Sequence, residues 1–341
     1  MFLVFSPRAV VPTLAAVALA FAVAACGSSS SSSSAAAAAS TSGGASTSAG
    51  ASNSGCAYGV VRFDGTDPFS NASMNGVVTY AKSIGCKVTV DDAQGNVNQA
   101  ASDITNLVQG GATRIAVSVF PSSALKSGIA SAQAKGIPVA NWGGGLAPGV
   151  PIAADVGLGA GMAQRVVQDL GGKGSLLALE YAPGLPCQER AKDLLAAVKG
   201  TKIQLTQEQI TIPGQVTSAD AATTAWANAH PPGGGPLAVW ACFDDPATGA
   251  AAALRSLGRT DVKVYGLNGT AAAMALVKSG GMTATTWVDG TDQGVELGKL
   301  LQQAVKEGKS FKPILIGGKT IIVDKSNVGS FLVAHPQLAT G

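Results

Sequence analysis

The sequence predicts an α/β protein built as two lobes of doubly wound parallel sheet, with a cleft between them. Three observations carry this reading. Short apolar runs alternate with segments whose apolar residues recur every three or four positions, the signature of strands feeding amphipathic helices. The punctuation between them is short and rich in Gly and Pro, which suits helices laid on both faces of a parallel sheet. The pattern then restarts near Ser175, so the chain reads as two similar halves.

The first half opens with Ala57–Gly85, an apolar run that breaks into a polar loop at Asp64–Ser70 and then takes helical spacing through Met74, Val77, Ala81 and Ile84. In open α/β sheets ligands gather beyond the carboxyl ends of such strands, so this loop is the first candidate for function. A strand follows at Lys87–Val90, then a helix at Val97–Val108 with Val97, Ala100, Ala101, Ile104, Leu107 and Val108 facing inward. Arg114–Phe120 reads as a strand, Ser122–Lys135 as a helix closed by Gly136, Ile137–Trp142 as a strand and Ile152–Val156 as a shorter one. A helix from about Leu158 to Leu170 leads into the second half. There, strands are expected at Ser175–Glu180, Ile203–Gln209, Leu237–Ala241, Val262–Gly266 and Thr283–Val288. The helices between them are Gln188–Lys199, Thr217–Ala229, Ala247–Leu257 and Ala271–Lys278, followed by a long helix at Asp292–Lys306 and short closing strands within Ile314–Val323.

Composition narrows the function classes. With 46% hydrophobic and 13% charged residues, the 341-residue chain can bury large cores and is comfortable as two lobes. Its formal net charge is +3 with no dense Lys/Arg cluster, so nucleic-acid binding lacks an electrostatic footprint. His230 and His335 stand apart from any Cys or carboxylate at metal-ligand spacing, which argues against a zinc site. Nucleophile elbow, P-loop and dinucleotide fingerprint are all missing from the sequence, and Gly143-Gly144-Gly145 and Gly233-Gly234-Gly235 read as turns. No cofactor is expected.

The first residues read as an export signal. Arg8 precedes the apolar stretch Ala9–Ala25, and Val23-Ala24-Ala25-Cys26-Gly27 resembles the bacterial lipoprotein processing box, with Val23 where Leu is preferred. Residues 1–25 are therefore expected to be removed and Cys26 lipidated; an ordinary secretory signal or a membrane anchor are the alternatives. Residues 26–55 are almost entirely Ser, Ala, Gly and Thr, a tether with too little apolar bulk to fold. Setting Cys26 aside leaves Cys56, Cys86, Cys187 and Cys242, an even number in an exported chain. Four cysteines allow three connectivities. Cys56 and Cys86 begin neighbouring strands of a parallel sheet and make a natural pair, while Cys187 and Cys242 each follow a strand of the second half. Buried free thiols are the alternative.

Several motifs, in this order along the chain, resemble one family. They are Asp67-Pro68-Phe69 after the first strand, Gly136-Ile137-Pro138-Val139, Asp155, Glu189-Arg190, Asp244 in CFDDPATGAAAAL, Gly266-Leu267-Asn268-Gly269-Thr270 and Asp324-Lys325-Ser326-Asn327-Val328. From about Cys56 to Val328 the chain is similar to the type 1 periplasmic solute-binding proteins, in particular the ribose-binding-like branch that serves ABC importers. The resemblance implies three crossings between lobes, a three-stranded hinge, and closure on a ligand. It places residues 56–157 and 290–313 in the first lobe and 158–289 and 314–341 in the second.

It also implies a site. Phe69 matches a family aromatic, Asp67 lies where an amide commonly bonds the ligand, Arg190 matches the cleft arginine, and Asn268 replaces a ligand-binding aspartate. Other positions depart from the pattern. An Asp-Arg pair expected after the Ile137-Pro138-Val139 strand is Gly143-Gly144, preceded by Asn141-Trp142, and an expected asparagine is Phe243. The position near Asp289 often carries Gln or Asp, and Trp287 stands just before it. Aromatics therefore accumulate at strand ends, at Phe69, Trp142, Tyr181, Phe243 and Trp287, as polar clamps disappear. The candidate ligand set is Asp67, Phe69, Trp142, Arg190, Phe243, Asn268 and Asp289; Tyr181 and Trp287 can equally pack against helices, and Asp155 and Asp244 can equally cap helices or bind crossover backbone.

The resulting expectation is a monomeric, non-enzymatic, membrane-tethered receptor that hands a small molecule, sugar-like by family, to an ABC permease. A receptor feeding a chemosensory or kinase partner, and a less polar or aromatic ligand, are the alternatives. An exported enzyme is disfavoured, because the sequence offers carboxylates and Arg190 without an activated nucleophile.

Overall fold

The computed structural model describes residues 55–339. The signal segment, the lipidation candidate Cys26 and the tether as far as residue 54 lie outside the described residues.

The first half folds as β1 (Ala57–Arg62), α1 (Pro68–Ser83), β2 (Lys87–Asp92), α2 (Val97–Gln109), β3 (Arg114–Ser118), α3 (Lys126–Ala134), β4 (Val139–Trp142) and β5 (Ile152–Ala154). The second runs through α4 (Ala160–Leu170), β6 (Lys173–Glu180), α5 (Leu185–Val198), β7 (Lys202–Gln209), α6 (Gln215–Ala229), β8 (Leu237–Ala241), α7 (Asp244–Ser256), β9 (Val262–Asn268), α8 (Ala271–Ser279) and β10 (Ala284–Val288). The chain closes with α9 (Gly290–Glu307), β11 (Ile314–Ile316), β12 (Thr320–Asp324) and α10 (Val328–Ala334).

Two six-stranded sheets result, in the orders β11-β5-β4-β3-β1-β2 and β12-β10-β9-β8-β6-β7. Apart from the outer strand, each has the 2-1-3-4-5 order of a doubly wound sheet, whose switch point lies between its first and third strands. The central strands β3 and β8 are buried at every residue, as sheets covered on both faces require. Every pairing in the first sheet is parallel, whereas β12 runs antiparallel to β10 at the edge of the second. That edge strand returns from the other lobe, so its direction is set by the crossover and not by a covering helix.

The chain crosses between lobes after β5, after β10 and after β11. Helix α9 belongs with the first lobe, where it lies against α1. Glycines make that close approach possible: a Cβ on Gly294 would stand 1.8 Å from the Ser73 carbonyl oxygen. Nearby, the Tyr58 hydroxyl donates to the Gly298 carbonyl at 2.8 Å.

One boundary needs correction. Ile314–Ile316, grouped by sequence with the second lobe, pairs with β5 in the first sheet. The apolar run Ile314–Val323 is interrupted by Gly317-Gly318, and the chain changes lobes there. Helix starts also move outward. Helix α5 begins at Leu185 with Pro186 in its first turn, where proline lacks only an amide that would be orphaned anyway. Helix α9 begins at Gly290, capped by Asp289.

Both cysteine pairs form disulfides, Cys56–Cys86 at the amino ends of β1 and β2 and Cys187–Cys242 at the cleft.

Candidate ligand-binding site

The first lobe's wall starts where β1 ends. Phe63 leads into a turn in which Asp64 Oδ1 accepts from the Thr66 amide at 2.7 Å, and Asp67 then caps α1 by accepting from the Phe69 amide at 3.1 Å. With Pro68 in the first turn, this stiff entry fixes Phe69 over the cleft. Phe69 meets Trp142, at the end of β4, edge to face with ring centroids 5.0 Å apart. The Trp142 indole donates to Gln293 Oε1 at 2.9 Å, and Gln293 Nε2 donates to the Asp155 carbonyl at 3.3 Å. A helix of the first lobe thus locks both the aromatic and the first crossover. Phe63 packs on Phe120 at 4.9 Å and reaches across to Tyr181 of the second lobe at 5.8 Å. Val119 sits at φ 71°, a left-handed conformation costly for a β-branched residue and of the kind that clusters at ligand sites.

The second lobe contributes the rings of Tyr181 and Phe243 and the polar groups Arg190 and Asn268. Arg190, on α5, is 3% exposed. Its Nη1 donates to the Cys242 carbonyl at 2.5 Å and its Nη2 to the Val156 carbonyl at 2.6 Å. Among the described residues its Nε has no partner, and no carboxylate lies within ion-pair distance. Burial lowers its pKa to about 10 against the pull of Asp244 and Asp67, so it stays charged at neutral pH. Asn268 ends β9 at φ 123°, and its buried Oδ1 also lacks a partner among the described residues. Asp67, on the opposite wall, is held above the usual carboxylate range by burial.

These groups surround a cavity of about 40 Å³. Of the residues singled out by sequence, Asp67, Phe69, Trp142, Arg190, Phe243 and Asn268 line it, together with Tyr181. Asp289 does not. It caps α9 by accepting from the Asp292 amide at 3.0 Å and lies outside this cavity, in an adjoining pocket it shares with Phe69 and Asn268. Trp287 turns away to pack on Phe331 at 5.3 Å and His335 at 4.6 Å. Asp155 accepts from the Gly157 amide at 2.9 Å, and Asp244 from the Thr270 amide and the Thr285 hydroxyl, each at 2.7 Å, so both hold backbone and loops.

Phe63, Val119, Pro186 and Ile212 also line the cavity, and Gln293 stands behind it. An aromatic closing the first strand was the available signal for Phe63; lone apolar residues in loops give none. The glycine pair has a steric reason. A Cβ on Gly143 would lie 2.8 Å from Val156 Cγ2, and one on Gly144 only 2.0 Å from Asn141 Nδ2 and 2.2 Å from the Phe120 carbonyl oxygen. Asn141 occupies the space instead, donating to the Phe120 carbonyl and the Ser122 hydroxyl.

The lobes are closed on one another. The Leu185 amide donates to the Val119 carbonyl at 3.2 Å, the Tyr181 hydroxyl to the Gly95 carbonyl at 3.3 Å, and Gln215 Nε2 to the Thr66 hydroxyl at 3.3 Å. Gln215 also donates to Asp245, whose pKa burial pushes up to about 7 with help from Asp67 across the cleft. Among the described residues, no group of three or more His, Cys, Asp or Glu is placed to hold a metal, and no helix is long and apolar enough to cross a membrane.

Two α/β lobes that close on a buried, partly unsatisfied polar cluster define a binding protein that envelops a small solute. Residues 58–310 match the periplasmic binding protein domain family, and the chain belongs to that family, in its ribose-binding-like branch. It is 29% identical over 245 residues to the ribose import binding protein RbsB of Bacillus subtilis, covering 71% of this chain and 77% of that one. A xylitol-binding protein of Mycolicibacterium smegmatis is 28% identical over 269 residues, covering 74% and 73%. The structure of a Caulobacter myo-inositol binding protein bound to myo-inositol superposes with a TM-score of 0.69 at 26% identity, covering 82% of this chain and 96% of that one. The chain belongs to a family of exported, non-enzymatic solute-binding proteins.

Proposed function

We propose that the mature chain is a lipid-tethered receptor, anchored through Cys26 to the outer face of the bacterial cell membrane, that loads an ABC permease with a small polyol or sugar-like solute. The observation that carries the ligand class is Arg190: a buried guanidinium held by two carbonyls, with no carboxylate partner and with Nε unpaired among the described residues. A forked donor in that state suits adjacent oxygens of a neutral ligand, because Asp67 and Asp244 already supply negative charge nearby. Asp67 accepts hydroxyl protons, Asn268 offers both a donor and an acceptor, and Phe69, Trp142 and Phe243 cover the carbon skeleton. The ribose and xylitol ligands named for relatives support this class.

A less polar ligand is the second reading. It is favoured by the ring of Phe63, Phe69, Trp142, Tyr181 and Phe243 around a cavity of only about 40 Å³. A thermal-shift screen of residues 56–341 against pentoses, hexoses, alditols, inositols and aromatic acids separates the two. A ligand at a hundred times its Kd adds about 2.7 kcal/mol of stability. Stabilisation by alditols or sugars, confirmed by calorimetry, supports the first reading, and stabilisation by aromatic acids alone replaces it with the second. Transport is tested by pull-down of the permease with ligand-loaded, lipidated protein; recovery of a kinase or chemoreceptor instead would reassign the partner.

A further inference from the structure

The two disulfides differ in what they touch. Cys56–Cys86 ties the amino ends of β1 and β2, at the end of the first sheet away from the cleft. Cys187–Cys242 joins the first turn of α5 to the residue that follows β8, and Cys187 lines the cavity. Arg190 lies three residues beyond Cys187, one helical turn along the same face. The carbonyl that receives Arg190 Nη1 belongs to Cys242 itself. The bridge therefore spans the donor's helix and the acceptor's strand end within a single turn of the guanidinium. Its partner carbonyl, Val156, lies on the first crossover, so the same guanidinium also ties the second lobe to the hinge.

The geometry points to Cys187–Cys242 as a positioning device for ligand binding: it fixes α5 against the end of β8 so that Arg190 keeps two carbonyl partners and presents Nε to the ligand. This inference rests on the reading of Arg190 as a ligand-holding residue. A guanidinium on a long, rotamer-rich side chain loses entropy when it is held, and a covalent tie between donor and acceptor elements removes part of that cost in advance. Cys56–Cys86, at the amino ends of β1 and β2 and outside the cavity lining, has no such effect.

The test compares C187A/C242A with C56A/C86A and the native chain, using two readouts. The first needs no ligand: the rate at which phenylglyoxal modifies Arg190, read by peptide mass mapping. We expect at least tenfold faster modification in C187A/C242A and an unchanged rate in C56A/C86A. The second is calorimetric affinity for xylitol, with a loss of at least tenfold expected in C187A/C242A only. Equal behaviour of the two variants in the arginine readout overturns the inference. Faster modification with no xylitol binding by the native chain upholds the positioning role and sinks the polyol reading instead. Should C187A/C242A lack native circular dichroism, Cys187→Val with Cys242→Ala refills the sulfur volume and takes its place. Failure of both to fold, where C56A/C86A folds, overturns the inference by making the bridge a general requirement of the lobe.

Discussion

The two walls of the cleft are made of different material. The first lobe offers Phe63, packed on Phe120, and the Phe69–Trp142 pair, whose indole is held by Gln293, with Asp67 tied down as a helix cap. The second adds the rings of Tyr181 and Phe243 and, with them, Arg190 and Asn268, whose buried Nε and Oδ1 have no partner among the described residues. An apolar wall can close on anything of suitable shape at little cost. A buried donor or acceptor left unpaired costs about 1–3 kcal/mol, so the second wall makes closure depend on a ligand that completes it. Both lobes supply apolar surface, and the second also carries the unpaired donor and acceptor.

Substitutions can break that division of labour. Arg190→Ala has the largest expected effect: it strips the charge and leaves the Cys242 and Val156 carbonyls without a donor. Truncating a buried, hydrogen-bonded charge costs about 2–5 kcal/mol, or roughly 30-fold in affinity at its lower end. Calorimetry with the ligand found in the screen checks this, and an affinity within threefold of native would move discrimination off the second wall. Next comes Trp142→Ala, for which binding weakens about tenfold through loss of aromatic area, while Trp142→Phe, losing mainly the bond to Gln293, stays within a few-fold. Equal losses in the two variants would mean that the indole's hydrogen bond, and not its face, matters.

Asp245 gives a smaller, pH-dependent effect. Its carboxyl is raised to about 7, first by burial and then by Asp67, Asp244 and Asp64, with Gln215 opposing. A folded-state pKa above the unfolded value means that the folded chain holds the proton longer. Stability therefore falls as pH climbs from about 4 to about 7 and levels off above that, so far as this group contributes. In Asp245→Asn the fall is shallower, which melting curves at intervals from pH 5 to 8 will show; parallel curves would assign the carboxylate no part in closure. Smallest of all, Asp289→Ala removes the α9 cap for about 1 kcal/mol of stability and leaves ligand affinity unchanged. A tenfold loss of affinity there would return Asp289 to the site.

Much of this was legible in advance because it is local. Apolar runs alternating with helical spacing gave the strands and helices to within a few residues, and the doubling of that pattern gave the lobes. Family resemblance and placement at strand ends singled out Asp67, Phe69, Trp142, Arg190, Phe243 and Asn268, and the fold brings all six to one cavity. Asp289 shares that signature yet points elsewhere: a helix cap and a ligand contact look alike in sequence, and only the direction of the side chain tells them apart. Trp287 was open to either reading, and its packing on Phe331 and His335 depends on α10, a helix the periodicity did not reveal.

What the sequence determined by itself is the set of elements and the two-fold repetition, since these follow from spacing and turn chemistry, whereas the group of residues around the cleft came chiefly from the family resemblance. Tertiary structure alone decided that β11 joins the first sheet, that Asn141 fills the space beside Gly144, and that Arg190 finds two carbonyls and no carboxylate. Those outcomes depend on which segments, far apart in the chain, come to share a few ångströms of space, and no local pattern encodes that.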